Sequence, residues 1–205
     1  MSAPSAFVHR PVVQMCWLVD DVDAAVERWV RTVGAGPWYV GRHFPLENVT
    51  YRGGPTTYDH SAALGQFGPL QIELHQKHCS VPSITEELFG PGEYGLHHIC
   101  WLVEDVDEEI ERMQALGCPT VFTTSAGTAL YTAWFDARSL FGSLVEVYQA
   151  NPFVLESKRF IREVSEGWDG SRPSRPFEEL MERPLAAASG AGLAQPEWVG
   201  SEGQR

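Results

Sequence analysis

The sequence predicts an α+β fold of two tandem βαβββ modules related by a pseudo-twofold axis, followed by a C-terminal helix and a tail. Two observations carry this reading. The stretch QMCWLVDDVDAAVERW at 14–29 recurs as HICWLVEDVDEEIERM at 98–113, with nine of sixteen positions identical where chance would give about one. LQIELHQ at 70–76 is then echoed by SLVEVYQ at 143–149, which aligns Glu73 with Glu146. His98 follows Gln14 by 84 residues whereas Glu146 follows Glu73 by 73, so the first unit is about eleven residues longer than the second.

Each unit opens on an apolar, β-rich run, residues 12–19 and 96–103, that ends in an Asp-Val-Asp step suited to cap a helix. Val22, Val26, Trp29 or Val30, and Val33 then share one helical face, as do Val106, Ile110, Met113 and Leu116 in the second unit; Gly34 and Gly117 stop the helices. Three β-like segments complete each unit, about 37–45, 57–66 and 70–76, then 119–125, 128–136 and 143–149. The modules are expected at 10–80 and 94–150. A helical extension follows at 151–183, where Phe153, Ser157, Phe160 or Ile161, and Val164 recur at helical spacing. Residues 184–205, rich in Ala, Gly, Ser and Pro, are expected to be a flexible tail.

Composition narrows the function classes. With 43% hydrophobic and 20% charged residues the chain is globular, and no apolar run approaches the roughly 20 residues of a membrane span. A net charge of −12 and a pI near 4.9 repel a phosphate backbone, so nucleic acid is excluded as a partner. The N-terminus lacks the basic and apolar regions of a secretory signal, and Cys16, Cys79, Cys100 and Cys118 form no CxxC pair. A cytoplasmic protein with reduced thiols is expected.

Strand alternation puts Gln14 and His98 at equivalent positions facing away from the helices. Glu73 and Glu146 sit between β-formers, in IEL and VEV, where an unpaired carboxylate would cost several kcal/mol. A divalent cation compensates such a pair, and two carboxylates, an amide and an imidazole suit Zn, Ni, Co, Mn or Fe. By the same alternation His97 points to the opposite, helix-bearing face, while His75 shares the face of Glu73. Tyr58, His60 and Tyr131 are expected near the pocket, and Trp17 and Trp101 in the two helix–sheet cores.

Over residues 10–150 these features resemble the vicinal oxygen chelate superfamily, which includes glyoxalase I, methylmalonyl-CoA epimerase, extradiol dioxygenases and bleomycin-resistance proteins. The resemblance implies that the two modules form a cupped mixed sheet and that one divalent metal ion is held by Gln14, Glu73, His98 and Glu146. A Gln/Glu/His/Glu set is similar to that of eukaryotic-type glyoxalase I, while GLHHICWLVEDVD resembles the epimerases. It further implies an isomerase, epimerase or lyase acting beside a carbonyl through an enolate or enediolate, with Glu146 as base and Glu73 as its counterpart. The substrate would be a small carbonyl compound or an acyl-thioester. The competing readings are a metal-free binding protein of the same fold and an extradiol-type dioxygenase. A homodimer is expected, from the resemblance and from the apolar stripe of the C-terminal helix.

Overall fold

The computed structural model describes residues 9–193. The first module comprises β1 (Gln14–Leu18), α1 (Val22–Val33), β2 (Trp38–Gly41), a short hairpin of β3 (Glu47–Tyr51) and β4 (Gly54–Pro55), then β5 (His60–Phe67) and β6 (Leu70–Lys77). A 3-10 turn at Ile84–Glu87 leads to the second: β7 (Gly95–Val103), α2 (Val106–Ala115), β8 (Thr120–Ala126), β9 (Leu130–Phe135), the single turn α3 (Arg138–Phe141) and β10 (Leu144–Gln149). The chain continues as α4 (Pro152–Glu166), β11 (Ser174–Pro176) and α5 (Glu178–Gly190). No helix among the described residues is long and apolar enough to cross a membrane.

The strands form one sheet in the order β11-β2-β5-β6-β1-β7-β10-β9-β8-β3-β4. The modules meet where β1 runs antiparallel to β7, with Gln14 opposite Cys100 and Cys16 opposite His98. Residues that match in the repeat thus exchange places across the seam, as a twofold axis requires. Around it β6 pairs in parallel with β1, placing Glu73 beside Cys16, and β10 pairs in parallel with β7, placing Glu146 beside Cys100. The extra residues of the first module are the β3–β4 hairpin, which crosses to pair with β8 at the far edge of the second.

The Asp-Val-Asp steps cap both helices: Asp21 accepts from the Ala24 amide and Asp105 from the Glu108 amide, satisfying donors that the first helical turn leaves unpaired. Gly34 ends α1 in the left-handed conformation, which costs glycine no Cβ clash. Trp29 of α1 packs edge to face on Trp17 and Trp38 beneath it, with centroids 5.1 and 5.9 Å away. Trp101 lies in the matching core under α2.

The opposite, concave face is covered by the C-terminal extension. Asn151 caps α4, Pro152 occupies its first turn, and Phe153, Val154 and Ile161 are buried together with Leu180, Met181 and Ala188 of α5. Each large apolar side chain so buried contributes about 1.5–3 kcal/mol. The apolar stripe of α4, expected to serve a dimer, is therefore largely covered within the chain. The flexible segment expected from residue 184 also starts too early: α5 runs through Pro184 to Gly190, because Pro184 and Ala188 are buried against the rest of the chain. The remainder of that segment, 194–205, lies outside the described residues.

Candidate active site

At the seam, β1, β6, β7 and β10 bring Gln14, Glu73, His98 and Glu146 together. All four are buried, His98 to 1% exposure and Glu146 to 0%. His98 Nε2 lies 3.0 Å from Glu146 Oε2 and 4.0 Å from Glu73 Oε2. These three groups offer ligand atoms within 4.8 Å of one another. At that separation two carboxylates repel by roughly 3 kcal/mol at an effective dielectric near 20.

The two carboxylates are held unequally. Glu73 accepts from Gln14 Nε2 at 2.7 Å through one oxygen and meets His75 Nδ1 at 3.1 Å through the other. His75 in turn lies 2.6 Å from the Tyr58 hydroxyl. Burial drives the His75 pKa down to about 3, helped by the nearby His98, so its ring is neutral: Nδ1–H donates to Glu73 and Nε2 accepts from Tyr58. Glu146 accepts from Thr132 Oγ1 at 3.2 Å, a hydroxyl with a shorter alternative in the Val147 carbonyl at 2.7 Å, and the Tyr148 hydroxyl and Cys100 thiol also interact with its carboxylate. Its Oε2 is buried with no hydrogen-bond partner among the described residues.

His98 is aimed by its neighbour. Strand alternation would turn His97 to the helix-bearing face, but the β1–β7 register slips after Cys16: Cys16 faces His98 while Trp17 faces Leu96. His97 is the residue left over, a bulge that brings its ring against His98 with the two Nδ1 atoms 2.8 Å apart. His97 Nε2 donates to the Ile84 carbonyl at 3.0 Å. Burial, with His98 adding to it, lowers the His97 pKa well below the usual imidazole value. The neutral ring therefore accepts at Nδ1, and His98 Nδ1–H donates to it. His98 Nε2 is left facing Glu146 Oε2 at 3.0 Å without hydrogen-bond alignment. Two buried, unsatisfied atoms of the second module thus face one another beside Glu73 of the first.

The donor set fits a divalent cation. Ligand atoms about 2.0–2.2 Å from one ion stand roughly 3–4 Å apart, and a metal-bound imidazole characteristically donates its other N–H to a fixed acceptor, as His98 does to His97. Gln14 differs in one respect: it presents its amide nitrogen to Glu73, while Lys158 Nζ donates to its Oε1 at 3.0 Å. A half-turn of the amide would present the oxygen instead. Cys16, Glu73 and His75 form a second cluster of ligand-type groups. It does not suit a metal, because both His75 nitrogens are engaged and burial raises the Cys16 thiol pKa, keeping it protonated.

Above the seam opens a cavity of about 140 Å³ with apolar walls. Strands of both modules line it, through Leu64 and Thr124 for example, so the sheet curves around it. Phe153, Lys158 and Met181 of the C-terminal extension close it over. Tyr58 and His60 line the wall, with His60 stacked on His75 at 4.5 Å. Tyr131 does not: it packs in the core under α2 and donates to Asp107. Lys158 and Gln71 are site residues that sequence reasoning missed. Gln71 sits on the same strand and face as Glu73 and carried that signal, whereas Lys158 is one cation of a helix whose orientation the spacing leaves open.

The chain matches the Glyoxalase/Bleomycin resistance protein/Dioxygenase superfamily over residues 13–135 and belongs to that superfamily. The match ends before Glu146 and Lys158. Among solved structures, methylmalonyl-CoA epimerase from Mycobacterium tuberculosis is 17% identical, with 70% of this chain and 90% of that one covered and a TM-score of 0.47. A hypothetical protein from Bacillus halodurans C-125 gives 17% identity, coverage of 68% and 93%, and a TM-score of 0.48. A variant of the Streptomyces coelicolor methylmalonyl-CoA epimerase in complex with 2-nitronate-propionyl-CoA gives 17% identity, coverage of 67% and 92%, and a TM-score of 0.46. A search of curated proteins returned no match.

Proposed function

We propose that this protein is a divalent-metal-dependent isomerase, epimerase or lyase that moves a proton on the carbon next to a carbonyl group, with Glu146 as the proton-transferring base. The observation that carries the reading is the pair of buried atoms with no hydrogen-bond partner among the described residues, His98 Nε2 and Glu146 Oε2, facing one another at 3.0 Å beside a second carboxylate.

Gln14, Glu73, His98 and Glu146 would hold the ion, which supplies Lewis acidity toward a substrate carbonyl oxygen when bound. Glu73, fixed by the Tyr58–His75 chain, is suited to stay in place. Glu146, held by a shared Thr132 hydroxyl at 3.2 Å rather than by a short dedicated bond, can swing a carboxylate oxygen toward the cavity that it lines. There it can accept a proton from the substrate carbon and return it. The apolar walls exclude water, which strengthens the attraction between charges at the cavity floor and keeps the abstracted proton from solvent. The small cavity favours a compact carbonyl compound. A metal-free binding role would leave Glu146 buried without a compensating charge, at a cost of several kcal/mol.

Deuterium incorporation from D2O into candidate 2-oxo and 2-hydroxycarbonyl compounds, followed by NMR, tests the reading. The wild type should label the carbon beside the carbonyl, and Glu146→Gln should lower the rate at least a hundredfold while Glu73→Gln chiefly weakens metal retention. Equal labelling by wild type and Glu146→Gln would remove Glu146 from the chemistry.

A further inference from the structure

The cavity floor carries more than the four seam residues. Lys158 Nζ reaches in from α4 to Gln14 Oε1 at 3.0 Å and Gln71 Oε1 at 2.8 Å, 5.5 Å above the Tyr148 ring. An ammonium has three protons to donate, and these contacts use two. Gln71, 4% exposed, has its Oε1 engaged by Lys158 while its Nε2 is buried without a hydrogen-bond partner. Two unspent donors, one of them charged, therefore stand side by side on the cavity wall.

Charge points the same way. With Glu73 and Glu146 committed to a divalent ion, as the proposed function has it, Lys158 would be left as a positive charge without a counterion among the described residues that line the cavity. Lysine ammonium groups in apolar surroundings are costly unless paired. The cavity's other walls are apolar and aromatic, with Phe122, Phe153 and Met181 among them.

We infer that Lys158 and Gln71 form a carboxylate-binding subsite, and that the substrate is a monoanionic acid with a compact apolar body and a carbonyl or hydroxyl oxygen near its carboxylate. The ammonium and the Gln71 amide each donate to one carboxylate oxygen, and the apolar body fills the aromatic end of the cavity. The inference rests on the proposed proton-transfer reading and narrows its substrate class. Lys158 is a binding residue in this account and takes no part in proton transfer.

Calorimetric titration of the full chain with 4-methyl-2-oxopentanoate and with its neutral methyl ester, each with and without one equivalent of Zn²⁺, tests it without reference to turnover. The acid should bind at least tenfold tighter than the ester. Lys158→Met should abolish that preference by weakening the acid and not the ester, Lys158→Arg should restore part of it, and Gln71→Leu should weaken the acid severalfold. No binding of the acid at millimolar concentration, equal affinity for acid and ester, or a preference that survives in Lys158→Met would overturn the inference. Acid binding that depends on Lys158 but brings no deuterium into the ligand would sink the proton-transfer reading alone. Labelling with an unchanged acid-to-ester ratio in Lys158→Met would sink the subsite alone.

Discussion

His97 and His98, neighbours in the chain, share a hydrogen bond between their Nδ1 atoms across 2.8 Å because a bulge in β7 turns both rings to the same side. The far side of His97 is fixed to the Ile84 carbonyl in the segment that joins the modules. The connecting turn thus sets the orientation of a seam residue through one intervening ring.

His97→Phe keeps an aromatic ring of similar size but removes both hydrogen bonds. Loss of such an outer partner characteristically costs 10- to 100-fold in metal affinity, and the Ile84 carbonyl left buried costs about 1–3 kcal/mol of stability. Competition with a chromophoric chelator measures the first and denaturant unfolding the second. Unchanged affinity would mean that His98 is oriented without its neighbour.

Glu109 is buried on the inner side of α2, where Arg112, Arg10 and the Trp101 indole all donate to it. Burial alone would raise its pKa, but the three donors outweigh it and hold the carboxyl at about 2. A folded-state value below the unfolded one gives stability that is fully present above the unfolded pKa, near 4.5, and is lost as pH falls toward about 2. Glu109→Gln should cost roughly 2 kcal/mol at pH 7 and remove most of the wild type's loss of stability between those two pH values. Urea unfolding at pH 7 and pH 3 checks this. A difference between wild type and variant that does not shrink on acidification would contradict it.

Gly65 packs its Cα face against the Trp38 ring, and a Cβ added there would come within 2.7 Å of ring carbons that are fully buried. Gly65→Ala should therefore destabilise by about 1–3 kcal/mol. Gly167→Ala, at the end of α4 with open space around the position, should change stability by less than about 1 kcal/mol. Equal thermal midpoints for the two variants would show that the Trp38 core yields freely.

The fold was legible because each module repeats the same strand–helix grammar, and because register at the seam follows from equivalence: Gln14 and His98 must exchange partners across β1 and β7. The long first module was visible as surplus length. Nothing in residues 47–55 indicated that the surplus would pair with β8, since that contact is set by the curvature of the whole sheet. His97 was misplaced because alternation assumes a regular strand, and a bulge inserts one residue without a distinctive composition. Lys158 was hidden for a related reason: a helix's apolar stripe says which face is buried but not which cavity lies beneath it. His75 was legible as a neighbour of Glu73 on one face, and the Tyr58 contact behind it emerged only from the pairing of β5 with β6.

The central claim is that Gln14, Glu73, His98 and Glu146 hold one divalent ion, and Co²⁺ titration of chelator-treated protein addresses it most directly, since visible absorption reports both stoichiometry and ligand environment. The account predicts saturation at one equivalent per chain, a spectrum altered in Glu73→Gln and Glu146→Gln, and binding at least a hundredfold weaker in His98→Ala. Absence of saturable binding near neutral pH, or a spectrum that is the same in His98→Ala as in the wild type, would contradict it.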